Sequence, residues 1–95
     1  MKTIRNAKFS LGRVVATPGA LKALADAEEE AVTYLQRHAL GDWGDLCQDD
    51  LEENELSLTQ GFRLLSAYHL ADLEKIWIIT EADRSVTTIL LPSEY

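Results

Sequence analysis

The chain has 95 residues, 46% of them hydrophobic, a net charge of −7 and one cysteine. A domain of this length hides roughly 60–65% of the surface its unfolded chain exposes, enough for one core and not two. These values exclude a disordered chain and an intrachain disulfide framework, and they argue against non-specific nucleic-acid binding, which needs clustered Lys and Arg to displace counterions.

A single thiol fits a reducing compartment, and Cys47 reads as a partly buried small apolar side chain before it reads as a nucleophile. Residues 1–12 hold three bases but no continuous apolar run, so no secretory leader is expected. The longest apolar stretches, 76–79 and 89–91, fall far below the roughly 20 residues a membrane span needs. The expectation is a soluble, cytoplasmic protein with no membrane contact.

No internal repeat, low-complexity segment or linker divides the chain, so one domain over 1–95 is expected. Residues 8–16 read as an entry strand, with Phe9, Leu11 and Val15 at a spacing of two. Gly12 marks a bulge or a close approach there. Thr17 and Pro18 then signal a helix start as N-cap and N1, and the helix runs to about Asp26. Asp26 to Glu29 resembles a capping box for a second helix. In that helix Ala31, Tyr34, Leu35 and His38 share one face, and Gly41 stands at C′.

Residues 42–55 hold seven acidic side chains and no base. A short helical turn is expected after Asp42. A further helix over 49–59 follows, with Leu51, Glu55 and Leu58 on one face and Gly61 at its end. Three strands come next, over 62–70, 75–80 and 85–91, joined by connections of hairpin length. The expected fold is α+β: an N-terminal strand and two or three helices packed on a C-terminal three-stranded antiparallel meander. Which face the helices cover is open at this stage. The last strand, 85–91, is read as an uncovered edge through which a homodimer can pair.

Several polar groups are candidates for chemistry. Thr80, Glu81, Asp83 and Arg84 cluster at the last hairpin, with Thr87 and Thr88 just after; turn chemistry is the plainer explanation. Arg63 is exposed if it faces away from the helices, and needs Glu55 or Glu81 if it faces inward. His38 and His69 with one cysteine make no metal-ligand spacing, and no phosphate-cradling loop or nucleophile elbow is present. No metal or cofactor is expected. Trp43, between Gly41 and Gly44, either anchors a loop in the core or forms a binding hot spot. The acidic run, with Asp49, Asp50, Glu52 and Glu53, is a solvated helix face or a surface resembling the phosphate array of nucleic acid. With Trp43 and Tyr68, these four are the candidate binding residues.

Residues 15–21 (VATPGAL), 41–44 (GDWG), 53–58 (ENELSL) and 79–92 (ITEADRSVTTILLP), with Glu94 and Tyr95, together resemble a family of bacterial proteins of about this length. Members are carried on plasmids and other mobile elements, and some are labelled as associated with restriction–modification. The resemblance covers nearly the whole chain and implies mobile accessory cargo, as in an integron cassette, more than a reaction. Taken with the absence of a recognisable site and the acidic balance, it leads to the expectation of a non-catalytic accessory protein with a protein partner. A weaker similarity, helices followed by an antiparallel sheet with a late strand reading RSVTTI, looks like the small barnase- and toxin-type RNases. It implies a metal-independent RNase in which Arg63, Glu81, Arg84 and His38 supply acid–base and charge-stabilising groups.

Overall fold

The computed structural model describes residues 6–95, so the leader-free reading rests partly on residues 1–5, outside the described residues. The elements are β1 (Arg13–Ala16), α1 (Pro18–Asp26), α2 (Ala31–Ala39), α3 (Gln48–Gln60), β2 (Leu64–His69), β3 (Lys75–Thr80) and β4 (Val86–Leu90), then a 3-10 turn over Pro92–Glu94. The fold is α+β. One sheet has the order β1-β4-β3-β2, in which β2, β3 and β4 form the antiparallel meander and β1 joins β4 in parallel. A parallel neighbour needs a long crossover, and the three helices lie within it.

The expected edge at 85–91 is therefore corrected. β4 is an interior strand, hydrogen-bonded on both sides, because β1 returns to cover it. The sheet edges are β1 and β2. The outward backbone of β2 is largely satisfied from within the chain. The Asn54 side chain reaches from α3, accepting from the Leu65 N–H at 3.0 Å and donating to the Leu65 carbonyl at 2.6 Å. The next outward residue, Ala67, donates to the Trp43 carbonyl and accepts from the Asp45 N–H. An edge blocked in this way cannot template another strand. Replacing Asn54 by Ala strips Leu65 of both partners. The expected result is a loss of about 2 kcal/mol in urea unfolding, the cost of orphaning half-buried backbone groups, and a wild-type midpoint would refute the role.

The local signals explain most element ends. The Thr17 hydroxyl accepts from the Ala20 N–H and Pro18 opens α1. Gly41 follows the C-cap of α2 with φ +83, and Gly61 ends α3 with φ +75. Three expectations fail for identifiable reasons. The entry strand begins only at Arg13, because Gly12 passes so close to the β3–β4 turn that a Cβ there would lie 2.4 Å from the Arg84 and Ser85 carbonyl oxygens. Phe9 leaves the strand path and packs on His38 and Trp43.

The capping box at Asp26 does not form. Asp26 ends α1 in a salt bridge to Lys22, Glu28 takes φ +57, and α2 starts at Ala31. Glu29 is recruited elsewhere: it accepts from the Tyr34 hydroxyl and from the Ala71 N–H at the β2–β3 turn. These bonds favour its ionised form and hold its carboxyl below the usual range. The helical turn expected after Asp42 is replaced by the bridge from Gly44 to Ala67.

The helices α1 and α2 cover one face of the sheet. Tyr34 and Leu24 meet Tyr68, Leu70, Ile76, Ile78 and Ile89 there in one apolar cluster. On β2 this is the face of Leu64, Ser66 and Tyr68, so Arg63 and Leu65 point to the other side. The helix α3 instead lies along the β2 edge, burying Asn54 and Ser57 between half-buried Leu51 and Leu58. The expected third member of that face, Glu55, is exposed. Among the described residues no helix is long and apolar enough to cross a membrane.

Candidate functional site

The helix-covered face contains a polar relay at its centre. Each donation in it is fixed by the one before. The Thr87 hydroxyl donates to the Leu11 carbonyl at 2.6 Å, so its oxygen accepts from Thr80 at 2.8 Å. The Thr80 proton is thereby used, and its oxygen accepts from His38 Nε2–H at 2.9 Å. His38 Nδ1 is left as an acceptor, and the Ser66 hydroxyl donates to it at 2.5 Å. The imidazole is thus neutral with its proton on Nε2. Burial, and secondarily the charge of Arg84, push its pKa down to about 3.

A serine hydroxyl on an imidazole nitrogen is the contact of a nucleophile and its base. Here both residues, with Thr80 and Thr87, are fully shielded from solvent. Trp43 and Phe9 close over the imidazole. No substrate atom reaches Ser66, and the relay ties α2 to β2, β3 and β4 inside the core.

The four residues of the RNase reading are not brought together. His38 lies under the helices, while Arg63 and Glu81 lie on the opposite face, Nε to Oε1 3.5 Å apart. Arg84 is engaged structurally. Its Nη1 donates to the carbonyls of Phe62, Glu81 and Ala82, and its Nη2 to that of Ser57. It thereby caps the C-terminal end of α3, where a cation is favoured, and locks the β3–β4 turn to that helix. Asp83 accepts from the Ser85 N–H and hydroxyl, which depresses its carboxyl. The hairpin cluster is turn chemistry at Asp83, and Thr80 and Thr87 belong to the relay. His69 is exposed at the far end of β2, paired with Asp45.

Two of the six candidate binding residues are interior. Trp43 is 4% exposed and donates from Nε1 to Glu55 at 2.7 Å, so it anchors the α2–α3 segment. Tyr68 is 1% exposed and its hydroxyl donates to the Asp42 carbonyl. Arg37 stacks on the Tyr68 ring and pairs with Asp42, closing the same corner. Neither ring is presented to a partner. Asp49, Asp50, Glu52 and Glu53 are all exposed on α3. Among the described residues none of the four is ion-paired with a Lys or Arg. Cys47, expected to be partly buried, is exposed at the N-cap of α3, with Sγ 3.3 Å from Asp50 Oδ2.

Among the described residues no group of three or more His, Cys, Asp or Glu is placed to hold a metal ion. A concave surface went unseen in the sequence: Trp77, Ile79, Leu65 and Tyr95 on the outer face of the sheet. Its only signal there was the alternation of β2 and β3, which marks a second apolar face without saying that it stays open. Comparison of the chain with protein-family models, with curated proteins and with solved structures finds no match.

Proposed function

We propose that this chain is a non-catalytic interaction protein of the accessory kind carried on plasmids and integron cassettes, and that it engages a basic protein partner through α3. The observation that carries the reading is the acidic face of that helix. Asp49 stands three and four residues before Glu52 and Glu53, so like charges meet at spacings that cost a helix about 0.2–0.5 kcal/mol per pair. The positive end of the helix dipole offsets this for Asp49 and Asp50 in the first turn, and not for Glu52 and Glu53. A helix that bears unpaired repulsion on one side is well suited to a partner that supplies the counter-charge. A protein whose own groove binds nucleic acid has that chemistry, and the acidic face then acts as a phosphate mimic.

The test is capture of a partner from bacterial lysate at low and high salt. Tagged wild-type chain is compared with the D49N/D50N/E52Q/E53Q variant. The expected outcome is a stoichiometric basic protein retained at low salt by the wild type, released by salt and missing from the variant. Equal retention by both chains would remove α3 as the interface.

A further inference from the structure

The outer face of the sheet is ordered in rows by strand register. Leu65 stands beside Ile79, Ala67 beside Trp77, and Trp77 beside Leu90. One step before β2, Arg63 stands by Glu81. After the 3-10 turn, Tyr95 comes back over this face, its ring 5.7 Å from the Trp77 indole and inclined at 69°. Beside this aromatic pair lies a groove of about 340 Å³ whose outer-face lining is Arg63, Leu65, Trp77, Ile79 and Tyr95. Its walls are almost wholly apolar, and it falls at the small end of the volumes that hold organic ligands.

Among the described residues one charged side chain lines this groove. Arg63 lies 5.6 Å from the centre of the Tyr95 ring, and its Nη1 donates to the Tyr95 hydroxyl at 2.9 Å. Its contact with Glu81 is 3.5 Å, well beyond the 2.7–2.9 Å of a charge-assisted hydrogen bond. Among the described residues most of its five N–H donors therefore remain available, and its side chain is 48% exposed. Glu81 does not line the groove. A ligand seated there meets two aromatic rings, two aliphatic side chains and the planar fork of a guanidinium, which matches a carboxylate in shape and charge.

We infer that this groove binds a small aromatic carboxylate, its ring packed against Trp77 and Tyr95 and its carboxylate on Arg63. The site is separate from the acidic face of α3 and does not depend on the reading given to that helix. The experiment is an amide and indole N–H NMR titration with indole-3-acetate, with neutral indole-3-acetamide as comparison.

The expected result is a saturable shift of the Trp77 indole N–H and of the Leu65 and Ile79 amides. The acid binds at least tenfold more tightly than the amide, and Arg63→Gln brings the two affinities together. Arg63 is on the surface, so the variant keeps its fold, which the remaining resonances verify. No shift at Trp77 up to about 10 mM acid overturns the inference. So does equal affinity for acid and amide, or an acid preference that survives Arg63→Gln. A Trp77 resonance that moves on dilution without ligand also overturns it, because a second copy of the chain then fills the groove.

Discussion

Acidification from pH 7 to around 4.5 is expected to cost the folded chain about 2.5 kcal/mol through His38 alone. The folded state holds this imidazole neutral, with a pKa pushed down to about 3. The unfolded chain protonates it near pH 6.5. The stabilisation is therefore fully present above pH 6.5 and is lost as pH falls toward 3, at up to about 1.4 kcal/mol per pH unit. The penalty is desolvation: Ser66 and Thr80 are hydroxyls, and neither supplies a negative charge to an imidazolium. The charge that acts on it, that of Arg84, is of the wrong sign.

The carboxylates with depressed pKa, Glu29, Asp42, Asp83 and Glu94, contribute stability that is lost as pH falls through and below their unfolded values of 4.5 for the glutamates and 3.8 for the aspartates. The His38 loss therefore begins at higher pH than theirs. Urea unfolding at a series of pH values gives the check. The wild type loses stability steeply between pH 6.5 and about 5, and His38→Gln, though less stable at pH 7, is nearly flat over that interval. Parallel curves for the two chains would show that His38 is not the titrating group.

Gly44→Ala is the most damaging single methyl group we expect in the chain. Gly44 has φ +75, and a Cβ there would lie 2.0 Å from the Ala67 carbonyl oxygen and 2.7 Å from the Tyr68 ring. That oxygen accepts from Asp45 in the strand-edge bridge, so it cannot yield without breaking the bridge. The expected loss is about 3–5 kcal/mol, most of it from the displaced backbone. Gly61 supplies the control. It has the same φ of +75 and nothing within 4 Å of its added Cβ, so Gly61→Ala costs only the conformational term, about 1 kcal/mol. Equal urea midpoints for the two variants would mean that the close approach at Gly44 is relieved without cost.

Local chemistry was legible in the sequence. Thr17 with Pro18, Gly41 and Gly61 mark helix ends by short-range rules, and the β-branched runs give β3 and β4 to within a residue. The pairings that depend on which face the helices choose were not. His38 meets Ser66 and Thr80 across 28 and 42 residues, and no periodicity encodes that distance. Asn54 looks like a poor helix residue until β2 lies beside it. Glu29 reads as a helix cap, yet a turn over 40 residues away recruits its carboxylate. The outer groove escaped for the same reason: alternation in β2 and β3 defines two faces, and only tertiary structure shows which is left open to solvent.

The parallel seam between β1 and β4 also governs the order in which the chain acquires its structure. Each strand of the meander finds its neighbour across a short turn. Ala16 must find Ile89 across nearly the whole sequence, after every helix has been threaded between them. Closing a loop of that length costs about 4 kcal/mol of chain entropy beyond its constant part. The hairpins β2–β3 and β3–β4 therefore precede β1, which docks late onto a finished template. Glu94, accepting from the Thr17 hydroxyl and the Gly19 N–H, then latches the end of the sheet to the first helix. The seam is where assembly finishes, and by the same argument where unravelling starts.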